Sequence, residues 1–200
     1  MSSLDVTGVA LEGVLPVVIV LASGRGERFL ASGGSTHKLH TLLGDKTVLQ
    51  HTLDAVRASG LPWHLEDAGR PGMGDSIAAA VRATADAPGW LILPADLPLI
   101  RPETLRQVAL ADPAQTVVVP VYQVQGQQQG QRGHPVRFMK VCGPQLMHLQ
   151  GPKGAALVMQ AHPAVEISVS DIGCVTDIDT LADLQRAQTL LSQRAQPSTQ

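Results

Sequence analysis

Two hundred residues, 44% hydrophobic and 16% charged, are enough to bury one core and carry too little charge for a disordered chain. Fifteen Lys and Arg against seventeen Asp and Glu leave a net charge of −2, and aromatics are only 2%, which speaks against a nucleic-acid binder built on basic patches or stacking platforms. Two cysteines, Cys142 and Cys174, make neither a disulfide scaffold nor a cysteine-rich zinc site, and they suit the reducing cytoplasm.

No Lys or Arg precedes Arg25, so the positive start of a signal peptide is not expected. The apolar run 14–22, broken by Pro16, falls short of the roughly 20 residues a membrane helix needs. It predicts instead a buried strand over 15–21, apolar on both faces as a central parallel strand is. A helix is expected over 47–58, because Thr47 and Gln50 have capping-box spacing and Leu49, Leu53 and Val56 recur on one face. A short strand fits 63–66. An Ala-rich helix over 75–84 would start on Asp75 or Ser76. Residues 90–95 read as a second buried strand, and Pro102 opens a helix to about residue 110. Strands are expected over 116–121 and 136–139, and a short helix over 154–161. Val165, Ile167 and Val169 alternate with polar residues, which predicts a half-buried strand near an edge. Thr180 with Asp183 caps a last helix reaching about residue 191. The stretch 123–131, almost all Gln and Gly, reads as a surface loop or as a flap over a substrate. One domain is expected over 14–191, with loose ends over 1–13 and 192–200.

Strands alternating with helices predict an α/β fold, an open and mostly parallel sheet with helices on both faces. Ligands of such sheets sit beyond the carboxyl ends of the strands, so unusual residues just after a strand become candidates. Gly24 and Gly26 follow the first strand, where a backbone without side chains can turn its N–H groups toward negative charge. Arg25 and Arg28 add cations suited to phosphate oxygens. Two named phosphate loops do not fit: Phe29 stands where a dinucleotide fingerprint wants a third Gly, and Lys38 lies between His37 and Leu39 rather than inside Gly-Lys-Ser/Thr. Asp96, between Pro94 and Pro98 at the tip of the second strand, reads as an Asx-turn or as a hard-cation ligand. Asp177 and Asp179 form a second acidic source far downstream. Gly72, Met73, Gly74 and Ser76 precede or open a helix, where Asp75 already occupies the positive end, so a base or ribose suits this position better than phosphate. Gly133, His134 and Pro135 follow the Gln-rich stretch, and the histidine is either structural or functional. Met139, Met147 and Met159 read as core filler, and the two cysteines as small buried apolar groups.

Six short motifs occur in one order: Leu21 to Arg28, Lys38-Leu39, Gly72 to Ile77, Ala95 to Pro98, Gly133 to Pro135 and Asp177 to Thr180. In that order the chain resembles the MobA-like nucleotidyltransferases, from about residue 17 to 190, and within them is most similar to the molybdenum cofactor cytidylyltransferases (MocA type). The resemblance implies a three-layer, Rossmann-like nucleotidyltransferase fold, here one sheet strand shorter than usual because 60–69 has room for only one. It implies transfer of a nucleoside monophosphate, CMP from CTP first, onto the phosphate of molybdopterin, with release of pyrophosphate. By position, Leu21, Ala22, Ser23 and Gly24 would hold the base, and Gly26, with Arg25, the phosphates. Arg28 and Lys38 would be catalytic, neutralising charge on the α-phosphate and the leaving group, with Lys38 also binding nucleotide. Gly72, Met73, Gly74 and Ser76 would meet base or ribose. Asp96 and Asp179 would bind Mg²⁺, and Gly133, His134 and Pro135 the acceptor. A molybdoenzyme or its chaperone would take the product, in the cytoplasm, with no membrane or nucleic acid involved. The alternatives are a guanylyltransferase for the same cofactor, a nucleotidyltransferase with another phosphorylated acceptor, and a non-catalytic nucleotide- or cofactor-binding delivery protein. The longer stretch from Phe29 to His37 leaves Lys38 room to swing.

Overall fold

The computed structural model of the chain describes residues 15–123 and 129–195. β1 (Val17–Leu21) is the run of β-branched and apolar residues expected of a central strand. A five-residue helix, α1 (Glu27–Ala31), and a tight turn over Lys38–His40 follow. β2 (Leu42–Leu43) and β3 (Lys46–Thr47) make a small separate hairpin. Next come α2 (Val48–Ser59), β4 (Trp63–Glu66), α3 (Met73–Ala83), β5 (Gly89–Pro94) and α4 (Pro102–Ala109). β6 (Val117–Tyr122), β7 (Gln131–Arg132) and β8 (Val136–Met139) precede the short helices α5 (Gly143–Met147) and α6 (Ala156–Ala161). β9 (Val165–Val169) and α7 (Leu181–Ala195) end the described chain.

The sheet runs β4-β1-β5-β8-β6, with β9 on the far edge of β6 and β7 continuing the β8 side of β6. β4, β1, β5, β6 and β9 point one way, whereas β8 and β7 oppose them. Alternate residues serve two cores. Val18, Val20, Leu91, Leu93 and Val118 face α2, α4 and α7, while Ile19, Trp90, Ile92, Val117 and Val119 face α3, α5 and α6. Each fully buried Val, Leu or Ile contributes about 1.5–3 kcal/mol. This is the three-layer α/β arrangement, and the space between α2 and α3 holds a single strand, β4. No helix among the described residues is long and apolar enough to cross a membrane.

Local signals decide several boundaries. Thr47 and Gln50 form both halves of the capping box at α2, and Thr180 and Asp183 exchange backbone hydrogen bonds of 2.8 and 3.2 Å at the start of α7. The α3 cap differs from expectation. Gly72 is the cap residue, and Asp75 Oδ2 instead accepts from the Gly151 N–H at 2.9 Å, so its carboxylate fastens a distant loop. α7 runs to Ala195 where a loose tail was expected from Ser192, because Arg194 donates to the Leu99 carbonyl at 2.6 Å and to buried Asp171 at 3.1 Å. β9 lies at an edge with Val169 buried. Cys142 and Cys174 are free and buried. Much of the Gln-rich stretch, residues 124–128, lies outside the described residues, as do 1–14 and 196–200.

Candidate active site

The carboxyl ends of β1, β4, β5 and β9 open on one side of the sheet. Because β8 runs backwards, the residues just before it arrive at the same side, beside the end of β5. The cleft there has a volume of about 700 Å³.

The glycine loop after β1 forms one wall. Gly26 sits at φ +66°, where a side chain would be strained, and a Cβ there would also press the His37 ring at 3.2 Å. His37 accepts the Leu39 N–H on Nδ1 at 3.3 Å, which leaves Nε2–H to donate to the Gly24 carbonyl at 2.6 Å. The imidazole thereby ties the glycine loop to the turn carrying Lys38. The stretch before it is anchored rather than free to swing: Phe29 is 1% exposed, its carbonyl accepts from Gly34 at 3.1 Å, and Ser32 Oγ receives the Leu181 N–H at 3.0 Å.

Lys38 is the centre of the charge arrangement. Its side chain is 11% exposed, and Nζ lies 2.6 Å from Asp96 Oδ2 and 2.7 Å from Asp179 Oδ1. Arg28, mostly in solvent, reaches Asp179 Oδ2 at 2.7 Å. Burial works against the Lys38 ammonium, but the two carboxylates more than offset it and hold its pKa above the ordinary value. The acids meet because the backbone brings them together. Ile178 N–H donates to the Asp96 carbonyl at 3.0 Å, Thr52 Oγ holds the Ala95 carbonyl at 2.9 Å, and Ala95 N–H continues the ladder to Leu21 at 3.0 Å. The loop bearing Asp179 is fixed from behind by Asp171, 3% exposed, which accepts from Arg101 N–H, Thr104 Oγ, Gly173 N–H and Arg194. Gly173 packs so closely that a Cβ would stand 1.9 Å from the Leu99 carbonyl.

A hard divalent cation suits this donor set. Asp96 Oδ1 is buried without a hydrogen-bond partner, and a second carboxylate stands on the same ammonium. No group of three His, Cys, Asp or Glu that could cage a metal occurs among the described residues, and Mg²⁺ needs none, since it keeps waters and phosphate oxygens alongside one or two carboxylates. Asp177 also lines the cleft, and burial first, with Asp96, Asp179 and Asp183 adding to it, pushes its pKa up.

The opposite wall contains Gly133 and His134. A Cβ on Gly133 would meet the Cys174 carbonyl at 2.4 Å, and His134 N–H donates to that carbonyl at 2.9 Å. His134 Nδ1 is buried and unpartnered. Burial lowers the His134 pKa against the pull of Asp96, which favours the neutral ring.

The matched family is the one described as the MobA-like NTP transferase domain, over residues 54–166, more than half of the chain. The chain belongs to this family. It is thus a nucleotidyltransferase acting on an NTP. As a member of the MobA-like family it shares its fold with Rv0371c from Mycobacterium tuberculosis H37Rv, at 25% identity and a TM-score of 0.70, over 88% of this chain and 97% of that one. Rv0371c in complex with manganese aligns at 24% identity and a TM-score of 0.66, over 88% and 98%. A molybdopterin-guanine dinucleotide biosynthesis protein A from Archaeoglobus fulgidus aligns at 17% and 0.63, over 88% and 98%. Among curated proteins, a 23-residue stretch is 78% identical to part of an Escherichia coli K12 protein named as the putative LysR family substrate binding domain-containing protein YagP; the match spans 12% of this chain and 17% of that relative.

Of the MobA-like positions expected from the sequence, Leu21, Ser23, Gly24, Arg25, Gly26, Arg28, Lys38, Gly72, Met73, Ser76, Asp96, Gly133, His134 and Asp179 all line the cleft. Three do not. Ala22 donates its N–H to the Glu66 carbonyl at 2.9 Å and packs on the core. Gly74 lies against the Gln150 backbone and donates to the Gly151 carbonyl at 2.8 Å, so its missing Cβ makes room for chain rather than nucleotide. Pro135 is buried at the entrance to β8. His37, Glu66, Arg70 and Arg132 line or support the cleft without belonging to any expected set. Arg70 and Arg132 line the cleft and are held by Glu66 at 3.2 Å and Glu166 at 2.6 Å. His37 sits beside Lys38, and Arg70 lies inside the turn that ends in Gly72; their adjacency to named motifs was the available signal.

Proposed function

We propose that the chain transfers CMP from CTP to the phosphate of molybdopterin or molybdenum cofactor, releasing pyrophosphate. The observation that carries this is Lys38 held between Asp96 and Asp179 beside the glycine loop. An acceptor phosphate is ionised near neutral pH and needs no general base. The barrier is repulsion between two anions, so positioning and charge neutralisation do the catalysis. The acceptor oxygen bonds to the α-phosphorus while the bond from that phosphorus to the bridging oxygen breaks, and pyrophosphate leaves. Lys38 and Arg28 neutralise charge on the α-phosphate and the departing group. Asp96 and Asp179 hold a divalent cation, Mg²⁺ in this reading, which when bound supplies further neutralisation of phosphate charge. That Rv0371c, which shares this fold, has been seen in complex with manganese supports the use of a divalent ion. Gly72, Met73 and Ser76 meet base or ribose, and His134, neutral and with a free ring nitrogen, faces the acceptor.

The choice of CTP and of a molybdopterin acceptor rests on the resemblance of the six motifs, and the cytoplasm is the setting that fits the two free cysteines. Purified protein with Mg²⁺, each NTP in turn, and molybdopterin or a panel of other phosphorylated acceptors tests it by pyrophosphate release. Release with CTP alone supports the proposal. Release with GTP instead assigns the guanylyl reaction, release only with other phosphorylated acceptors moves the acceptor, and no release with any pair overturns the catalytic reading.

A further inference from the structure

We infer that Lys38 is a resident stand-in for the divalent cation, which settles between Asp96 and Asp179 only when a nucleotide gives the ammonium another anion to meet. This rests on the metal role proposed for those two acids. Nζ touches one oxygen of each carboxylate, at 2.6 and 2.7 Å, and Arg28 takes the remaining oxygen of Asp179 at 2.7 Å. Two carboxylates and two cations therefore balance in the free protein. The one carboxylate oxygen of this pair left over, Asp96 Oδ1, is buried. A single oxygen is a poor site for an ion that wants about six.

The anchoring of Lys38 divides fixed parts from movable ones. The backbone of its turn is pinned through His37, whose ring holds Gly24 and Leu39. The four-carbon stem remains flexible, so the ammonium can pivot without the loop moving. An NTP brings several negative oxygens into the same cleft with its cation. Lys38 and Arg28 then exchange carboxylate partners for phosphate partners, and the freed oxygens of Asp96 and Asp179 face the cation. Nucleotide and cation binding thereby become mutually reinforcing.

The test is Mn²⁺ binding in the absence of turnover, read by loss of the free-ion electron paramagnetic resonance signal. Lys38→Met without nucleotide should bind Mn²⁺ about ten- to a thousandfold more tightly than the wild type without nucleotide, since one adjoining like charge shifts an ionic equilibrium by roughly 1–3 decades. Mn²⁺ should also raise the Tm of Lys38→Met and leave that of the wild type unmoved. Equal affinity of the two proteins, with Mn²⁺ bound, overturns the lysine inference alone. No excess Mn²⁺ on the protein side in equilibrium dialysis of either protein, even with the α,β-methylene analogues of CTP and GTP present, overturns the metal reading and this inference with it. Should Lys38→Met fail to fold, the ¹⁵N signal of the Lys38 ammonium in the wild type decides. It should ignore Mg²⁺ alone and move when Mg²⁺ and an analogue are added together; a move with Mg²⁺ alone refutes the inference.

Discussion

Replacing Asp171 tests how the acidic loop is held in place, without touching the cleft. Its carboxylate is 3% exposed and accepts four contacts: Arg101 N–H at 2.9 Å and Thr104 Oγ at 2.8 Å on one oxygen, Gly173 N–H at 2.9 Å and Arg194 at 3.1 Å on the other. In Asp171→Asn the amide nitrogen can face Thr104, whose hydroxyl reverses to accept. One backbone donor, that of Arg101, is then stranded at about 1–3 kcal/mol. In Asp171→Ala all four donors lose their acceptor and Arg194 loses its counter-charge, a loss of about 3–5 kcal/mol, the range for breaking a buried ion pair. At about 2–4 °C per kcal/mol for a chain of this size, the Ala variant melts roughly 6–20 °C lower. Urea unfolding of wild type, Asn and Ala variants measures the series. Pyrophosphate release well below each Tm should fall in step, because the same loop carries Asp179. An Ala variant within about 1 kcal/mol of wild type, or one more stable than the Asn variant, would refute the reasoning.

Asp96→Asn should abolish pyrophosphate release in Mg²⁺ while circular dichroism and melting stay near wild type; near-normal turnover removes the carboxylate from the reaction. His37→Ala should raise the KM for NTP more than it lowers kcat, since it frees the Gly24 carbonyl and loosens the glycine loop, and His37→Asn should restore part of the loss; an unchanged KM would mean that the loop holds itself. His134 gives a pH signature. Burial depresses its folded-state pKa, so the unfolded chain takes up the proton first as pH falls below about 6.5, and stability contributed by the neutral ring is lost from there down through the folded value. Unfolding free energies from pH 7.5 to 5 should therefore fall more steeply for wild type than for His134→Gln, and parallel curves would sink the claim.

Periodicity carried most of the frame. β1, β5 and β6 are apolar on both faces because a helix layer covers each side, and that demand is written into consecutive residues. The two-residue strands β2, β3 and β7 and the five-residue helices α1 and α5 are too short to show a strand or helix period, and tertiary contacts create them. Asp75 illustrates the limit well. Local rules make it a cap, yet its oxygen serves a glycine 76 residues away. Arg137 is similar: in sequence it is one charge inside a strand, whereas in the fold it is 1% exposed and donates to the carbonyls of Ala109, Ala111, Asp112 and Gln115. In the cleft, residue types announced themselves at Asp96, Lys38 and the glycines. Their mutual contacts did not, because pairings across 58 and 141 residues leave no local mark.

The reversed direction of β8 separates two evolutionary problems. The loops proposed to face the nucleotide leave parallel strands whose register locks them to one another. The chain facing them across the opening pairs with the end of β6 as β7 and then enters β8, an antiparallel strand between β5 and β6. Residues can be added or removed at that hairpin without shifting a parallel neighbour. Under the proposed reaction, such a scaffold could be refitted to acceptors of different size while the side proposed for the triphosphate stays as it is.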